Sequence, residues 1–227
     1  MSARRRPVRR LLLVAVAAAI VAAIGTGAWL YVSPRGLAGH AIERYASAAT
    51  RTSVRLERIE VSPADGTGSI TGFSVRNPDG FKAPVAFQAD SIKLALDPAT
   101  LDKEVLVVRA VSITSPRLSY ESGAAGSNVE VLLGNILRHA GESAGAGSQG
   151  PKLIVDRLVV RDATLSYASA ITAGKTVTIS IPDVRLSGIG RIEGGVTPGR
   201  FAQAIVEAML DRIRRAMSLE AMRDGAK

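Results

Sequence analysis

The longest apolar stretch lies near the amino terminus, where residues 11–32 carry no charged side chain. A helix of about 22 residues rises about 33 Å, enough to cross a hydrocarbon core of about 30 Å. Trp29 and Tyr31 lie at its far end, where amphipathic aromatic rings favour the membrane interface. An arginine cluster in residues 1–10 precedes it. Because such clusters stay in the cytoplasm, the pattern predicts a cytoplasmic tail, one membrane-spanning anchor and an exported remainder.

A cleaved secretory signal is the alternative interpretation of this segment. Its apolar region would span about 7–15 residues and end at a small-residue cleavage site. The apolar stretch is longer than that, and residues 31–34 (Tyr-Val-Ser-Pro) make a poor cleavage site. An uncleaved signal-anchor is therefore favoured, and in both cases the folded part of the chain is exported.

Beyond the anchor, helical spacing predicts a helix from about Pro34 to Thr50, and the hydrophobic period then changes from 3.6 to 2. Short alternating runs, separated by Gly, Pro and Asp, are typical of half-buried antiparallel strands. About nine such strands would form a sheet about 40 Å wide. The clearest runs are SVRLERIEV (53–61), SIKLAL (91–96), VRAVSITSPRLSY (108–120), LIVDRLVVRDATLSY (153–167) and TVTISI (176–181).

Two further segments have helical spacing. Residues 127–139 carry an apolar stripe with Ser127 or Asn128 as the N-cap, and the Gly/Ala/Ser-rich residues 140–151 are predicted to be a flexible linker.

A C-terminal helix is predicted from Pro198. Packing against the end of the sheet is favoured for it over lying on an anionic membrane surface, because acidic residues dilute its basic face. Its apolar face carries Phe201, Ile205, Met209, Ile213 and Met217.

Together these patterns predict an α+β protein. An N-terminal transmembrane helix is followed by a twisted antiparallel, groove-like β-sheet with a few short helices. The predicted exported β-domain covers residues 33–195, and the amphipathic C-terminal helix covers residues 196–227.

An internal repeat lies within the sheet region. Residues 108–120 (VRAVSITSPRLSY) and 155–167 (VDRLVVRDATLSY) share apolar positions and a Leu-Ser-Tyr ending at an offset of about 47 residues. A repeat of this size predicts a unit that stacks on a copy of itself.

Composition narrows the chemistry. The chain has no cysteine, which excludes disulfides, thiolate metal sites and a cysteine nucleophile. Its net charge is +9, but the arginine cluster in residues 1–10 supplies more than half of that excess, so membrane topology explains the charge better than nucleic-acid binding does. The two histidines, His40 and His139, have no second histidine at helical spacing. No catalytic, cofactor or metal site is predicted, and the chain is not expected to be an enzyme.

The ordered set of segments resembles the AsmA family of bacterial envelope proteins over residues 35–195. After the anchor come the helix GLAGHAIERYASAAT (36–50) and GSITGFSVRNPDGF (68–81), which is similar to the family's Asn-Pro-x-Gly-Phe segment. AVSITSPRLSYE (110–121) follows, and SNVEVLLGNI (127–136) is similar to the family's Asn-led helix. The resemblance implies a protein anchored in the bacterial inner membrane, with a periplasmic, chorein-like sheet and a role in phospholipid transport to, and maintenance of, the outer membrane.

The first functional hypothesis is therefore a non-enzymatic protein that binds lipid acyl chains in a β-groove, for envelope lipid homeostasis and outer-membrane biogenesis. Its expected partners are the membrane, phospholipid and other envelope proteins, without nucleic acid. The alternative is a closed-core structural or protein-interaction module tethered to the inner membrane. The side chains predicted to line the groove are Ile92, Leu94, Leu96, Val111, Ile113, Leu158, Val160, Ile179 and Ile181.

Overall fold

The structure is a computed structural model that describes residues 37–62, 64–101, 103–123, 126–144, 152–168 and 176–197. Within these ranges, eleven strand segments form one sheet, and two helices accompany it. The helices are α1 (Leu37–Thr50) and α2 (Asn128–Ala144), and a short 3-10 turn covers Pro98–Thr100. The strands are β1 (Val54–Arg55), β2 (Arg58–Ser62), β3 (Thr67–Arg76), β4 (Val85–Leu96), β5 (Val105–Thr114), β6 (Arg117–Gly123), β7 (Gly126–Ser127), β8 (Lys152–Arg161), β9 (Ala163–Ala168), β10 (Val177–Ile181) and β11 (Val184–Ile189).

The described part of the chain is mainly β, so the predicted α+β class is wrong. No helix within these ranges is long and apolar enough to cross a membrane. Much of the helix content expected from the sequence came from two predicted helices, the anchor at 11–32 and the segment from Pro198. Both lie outside the described residues. What is described is largely the alternating part of the chain, and a period of two favours strands.

The prediction of an antiparallel sheet is wrong at the centre of the sheet. Strand β5 pairs with β8, and β6 with β9, in parallel. The other described strand pairs are antiparallel. The cause is the connection between β6 and β8, which contains α2: a crossover of that length lets the chain run in the same direction again.

Four pairs of segments behave as single long strands, each interrupted at one level of the sheet: β1/β2, β5/β6, β8/β9 and β10/β11. The sheet therefore has six long strands, in the order β1/β2, β3, β4, β5/β6, β8/β9, β11/β10. At about 4.8 Å per strand its width is about 24 Å, narrower than the predicted 40 Å. The estimate of about nine strands treats the two halves of a bent strand as separate strands, which makes the expected sheet too wide.

The interruptions form a bend across the sheet. Gly72 in β3, Ser115 between β5 and β6, and Asp162 between β8 and β9 all have left-handed backbone angles, with φ of 65°, 50° and 54°. Hydrogen bonding continues past them, since the Ser115 amide donates to the Arg161 carbonyl at 3.0 Å. The register is the same on both sides of this level, since Ser91 lies opposite Thr114 and Gln88 opposite Arg117, so the left-handed residues bend the neighbouring strands together without a bulge.

Replacing Ser115 by glycine is expected to stabilise the protein by up to about 1 kcal/mol. A left-handed conformation costs a non-glycine residue about 1–2 kcal/mol, and the greater freedom of glycine in the unfolded chain offsets only part of that gain. The control is Thr114→Gly, one residue earlier in regular strand geometry, which we expect to destabilise by about 1 kcal/mol. Thermal melts of the full-length chain in one detergent measure both. Equal losses in the two variants would contradict the assignment of the bend.

The internal repeat is confirmed by the register of the parallel strands. Val111 lies opposite Leu158, Ile113 opposite Val160 and Tyr120 opposite Tyr167. Each pair is offset by the repeat length, so the two copies lie side by side in register. The left-handed residues at the bend, Ser115 and Asp162, are separated by the same repeat length.

Helix α1 lies along β1 and β2 and runs antiparallel to them. The Val54 amide donates to Oγ of Ser47 at 2.9 Å, and the Leu56 amide donates to Oε1 of Glu43 at 3.0 Å. Near the start of the helix, a β-carbon at Gly39 would lie 3.5 Å from Cγ2 of Ile59. The chain therefore enters the domain at the end of the sheet that carries the β2–β3 turn, here called the turn end.

The helix predicted at 127–139 is confirmed and is longer than expected. It continues through residues 140–144, so the linker prediction is wrong for these residues, whereas 145–151 lie outside the described part. The helix predicted at 34–50 is described from Leu37. Asn135 joins the two helices, because its Nδ2 donates to the Thr50 carbonyl at the end of α1 at 2.7 Å.

Candidate functional site

One transverse row of β-branched side chains crosses all six long strands. Residues directly opposite each other in a ladder share a face of the sheet, and here every cross-strand partner is Ile or Val. Five of the six side chains are at most 6% exposed. The row consists of Ile59, Ile70, Ile92, Ile113, Val160 and Val184.

A second apolar row lies two residues away on the same face. Leu94 pairs with Val111, Val111 with Leu158, and Leu158 with Leu186. The two central side chains, Val111 and Leu158, are 1% and 0% exposed, whereas the outer two are only partly buried. Burial in this row therefore depends on position across the sheet.

Sequence alternation missed a third and a fourth row because a bulge changes the phase of β5. Leu96 pairs with Val108, whereas Ala95 pairs with Ala110, so β5 contains one extra residue, Arg109. Val108 thereby returns to the face of Leu94 and Leu96. The third row is Leu96, Val108, Val155 and Ile189, and the fourth is Leu106 with Leu153. A strict period of two assigns Val108 to the opposite face from Val111.

The most deeply buried part of this face is defined here as the apolar strip, which consists of four side chains from β5 and four from β8. Each is at most 2% exposed. From its first to its last residue on β5 the strip is about 23 Å long, at about 3.3 Å per residue. Its members are Leu106, Val108, Val111, Ile113, Leu153, Val155, Leu158 and Val160.

The structure brings the predicted groove residues together in one core cluster. Seven of them lie in the rows just described: Ile92, Leu94, Leu96, Val111, Ile113, Leu158 and Val160. The other two lie beyond the bend, where Ile179 pairs with Leu165 and Ile181 with Ala163. Eight of the nine are at most 5% exposed, and only Leu94 is partly exposed. Alternation predicts a common face, but it contains no information on what covers that face.

The opposite face of the sheet is polar. Ser69, Lys93, Ser112 and Arg185 lie between the apolar rows and point the other way, and a shallow depression there is lined mainly by small and hydroxyl side chains. Several of its arginines are paired, such as Arg185 with Asp183 at 3.0 Å. Such exposed ion pairs contribute little to stability.

The titratable groups suggest no catalytic centre in the described residues. No group of three or more His, Cys, Asp or Glu residues there is arranged to hold a metal ion. Burial raises the pKa of Tyr120, and the nearby Glu130 carboxylate raises it further, against a hydrogen bond from Ser127 that lowers it. Tyr120 is therefore a neutral hydrogen-bonding group at physiological pH.

Both helices contribute to the same core cluster as the apolar strip, because Ile42 and Ala46 of α1 and Val129 and Leu132 of α2 are buried in it. The closest backbone approaches of the helices are to each other and to β1, β2, β6 and β7.

No family model matches the chain, and no curated protein matches it. The apolar face and its surroundings are therefore the observations that bear on function.

The asparagines of the Asn-Pro-x-Gly-Phe segment and of the Asn-led helix are far apart in sequence but meet at the start of α2. Nδ2 of Asn128, at the start of α2, donates to Oδ1 of Asn77 at 2.8 Å and to the Ser119 carbonyl at 2.7 Å. Its Oδ1 accepts the Glu121 amide at 2.9 Å. The Glu121 carboxylate in turn accepts the amide of Ala83 at 2.6 Å. The network ties the loop after β3 to β6 and α2, which is a structural role for both motifs.

Proposed function

We propose that the protein is a non-enzymatic, AsmA-like protein of the bacterial envelope that binds lipid acyl chains against the apolar face of its sheet. The observation that carries the proposal is the row of Ile and Val side chains across all six long strands, with further aliphatic rows beside it on the central strands. The meeting of Asn77 and Asn128 supports the resemblance, because these residues begin its two most recognisable segments.

The aliphatic chemistry of the strip fits an acyl chain. All eight of its side chains are aliphatic, so the strip offers no hydrogen bond to a headgroup. Half of a 30 Å hydrocarbon core is about 15 Å, which is shorter than the strip of about 23 Å. Burial of apolar surface contributes about 25 cal/mol per Å², so the affinity would come from chain length and the headgroup would remain in water.

The position of α1 supports an orientation on the membrane. An anchor at residues 11–32 ends a few residues before Leu37, and α1 begins near the turn end of the sheet. Ile192, in the turn after β11, lies at the same end and is 97% exposed. The proposal therefore places the turn end next to the inner membrane and the rest of the sheet in the periplasm.

The size of the sheet favours a local role. A width of about 24 Å is far too small for one copy to connect two membranes. The proposed task is to hold or present acyl chains at the inner-membrane surface, for envelope lipid homeostasis, alone or beside a longer envelope protein.

Site-specific photocrosslinking tests acyl binding. A benzophenone amino acid in place of Leu94, which is partly buried on the apolar face, is expected to capture phospholipid when the full-length chain is irradiated in cells. The matched control is the same amino acid in place of Lys93, the adjacent residue on the polar face. Mass spectrometry of the purified adducts gives the measurement. Lipid adducts that are equally abundant at both positions, or absent at position 94, would rule the proposal out.

A second function is favoured by one specific observation, the near-complete burial of eight of the nine predicted groove residues. In this alternative the protein is a closed-core module that tethers envelope proteins to the inner membrane. The substitution Leu94→Asp separates the two. It abolishes lipid capture in a protein that still melts cooperatively if acyl chains bind there, and it lowers the melting temperature of a sealed core by many degrees.

A further inference from the structure

The polar face of the sheet carries three basic side chains near its centre. Successive residues of a strand point to opposite faces, so Lys93, Arg157 and Arg161 project from the face opposite to the apolar strip. All three residues are exposed. These three residues are here called the basic patch.

The charges of the basic patch surround one point of the sheet. Lys93 lies level with Ser112 and Val159, and Val159 lies midway between Arg157 and Arg161 on β8. The two arginines are about 13 Å apart along the strand, and Lys93 is about 10 Å away across two strands. Their positive potentials add over this area, so the spacing fits a surface that carries several negative charges.

Several arginines elsewhere on the sheet are neutralised by carboxylates. Arg109 pairs with Asp97 at 3.1 Å and Arg185 with Asp183 at 3.0 Å, and two further arginines pair with aspartates in the same way. Among the residues that the structure describes, no carboxylate pairs with a member of the basic patch. The positive charge of the patch is therefore uncompensated.

The surroundings of the patch favour one kind of partner. The residues between its charges are small or carry hydroxyl groups, and in the described strands no aromatic side chain projects from this part of the face. Protein interfaces have an apolar core, enriched in aromatic residues and depleted in lysine, serine and alanine. An anionic lipid surface needs no such core, because each Lys or Arg held near it contributes through its charge.

We infer that the basic patch docks on the anionic phospholipid headgroups of the membrane to which the chain is anchored. The patch lies between the bend and the turn end, in the half of the sheet that the proposed function places nearest to that membrane. Each basic side chain near an anionic surface strengthens docking by about fivefold. The apolar face is on the other side of the sheet, so an acyl chain bound there is held away from the bilayer. The inference rests on the anchoring that the proposed function includes, and it is independent of acyl binding.

Protection of a cysteine on the polar face tests the docking, since the chain has no native cysteine. Full-length Thr71→Cys, with its thiol on the same face as the patch, is incorporated into nanodiscs and treated with an uncharged polyethylene-glycol maleimide. We expect the reaction to be several-fold slower in discs of equal parts phosphatidylglycerol and phosphatidylcholine than in discs of phosphatidylcholine alone. The control is Ala48→Cys at an exposed position of α1, which should react at the same rate in both.

Two matched double variants show whether the patch is responsible for the protection. Arg157→Gln/Arg161→Gln removes two charges from the patch, whereas Arg44→Gln/Arg138→Gln removes two exposed charges from the helices. We expect most of the protection of Thr71→Cys to be lost with the first pair and kept with the second. Salt at about 1 M should also remove it, because the screening length is then only about 3 Å.

The other outcomes overturn the docking. Equal rates for Thr71→Cys in the two kinds of disc do so, and so does protection that survives in Arg157→Gln/Arg161→Gln or in high salt. Protection that occurs in whole cells but not in discs assigns the patch to an acidic protein instead. A chain that does not co-elute with phosphatidylcholine discs refutes the anchor and this inference with it, whereas acyl binding is judged separately by the crosslinking at position 94.

Discussion

Replacing Asn128 by alanine is expected to lower the free energy of unfolding by about 3–5 kcal/mol. The Asn128 side chain is fully buried, and it satisfies three groups at once: Oδ1 of Asn77, the Ser119 carbonyl and the Glu121 amide. A buried polar group that loses its partner costs about 1–3 kcal/mol. In a domain of this size, 1 kcal/mol corresponds to about 2–4 °C, so the melting temperature of the full-length chain should fall by about 6–20 °C.

Two comparisons show whether the network is the cause. Asn135→Ala, in a buried asparagine of the same helix, removes the hydrogen bond to the Thr50 carbonyl and one that Oδ1 accepts from the exposed Arg138, and we expect a smaller loss of about 1–2 kcal/mol. Asn128→Asp keeps the acceptor for Glu121 but places a carboxylate against two oxygens. Its stability relative to Asn128→Ala should improve as the pH falls and the new carboxyl is protonated, because a protonated carboxyl can donate. A loss for Asn128→Ala no larger than that for Asn135→Ala would contradict the role of the network.

Sequence patterns predicted the parts of this fold that depend on local order. The 47-residue offset of the repeat reappears as the register of β5 with β8, because parallel strands with matched apolar positions bury them together. The helix at 127–139 was recognisable from its stripe and its cap, and a helical stripe needs only neighbouring residues to be seen.

Other features of the fold depend on long-range pairing and were therefore hidden. Whether two strands run parallel depends on the path of the connection between them, and alternation is the same in both cases. The bend was not predicted, since Ser115 and Asp162 are ordinary residues of a polar turn pattern until their left-handed conformations are known. The count of nine strands failed for the same reason.

The structure shows how the residues of the predicted groove are placed. Ile92, Ile113 and Val160 pair directly across neighbouring strands and so share one face of the sheet. Val108 was missed because the extra residue in β5 shifts the alternation before Val111, and Val155 of β8 is its cross-strand partner. Burial of the face was not predictable from alternation, since alternation contains no information on what packs against a face. The same nine side chains serve an open trough or a sealed core, and only their exposure distinguishes the two.

Replacing Leu158 by alanine is expected to cost about 3–5 kcal/mol if the strip is sealed by its own chain. Leu158 is fully buried at the centre of the strip, and truncation of a sealed leucine leaves a cavity in addition to the lost transfer free energy. In an open trough, detergent, lipid or water would fill the space, and the cost would approach the transfer term alone, about 2 kcal/mol or less. Thermal or denaturant unfolding of the full-length chain measures the difference.

Leu94→Ala is the matched control, because Leu94 lies in the same row two strands away and is only partly buried. Its expected cost is about 1 kcal/mol, since less apolar surface is lost and solvent reaches the site. A second control, Leu158→Met, keeps the volume and should cost less than about 1.5 kcal/mol. Similar small losses for Leu158→Ala and Leu94→Ala would mean that the centre of the strip is as accessible as its edge. That result would contradict a sealed core and favour an open acyl-binding face. A large loss confined to Leu158→Ala would mean that the strip is closed in the resting protein, so that any lipid must first displace its cover.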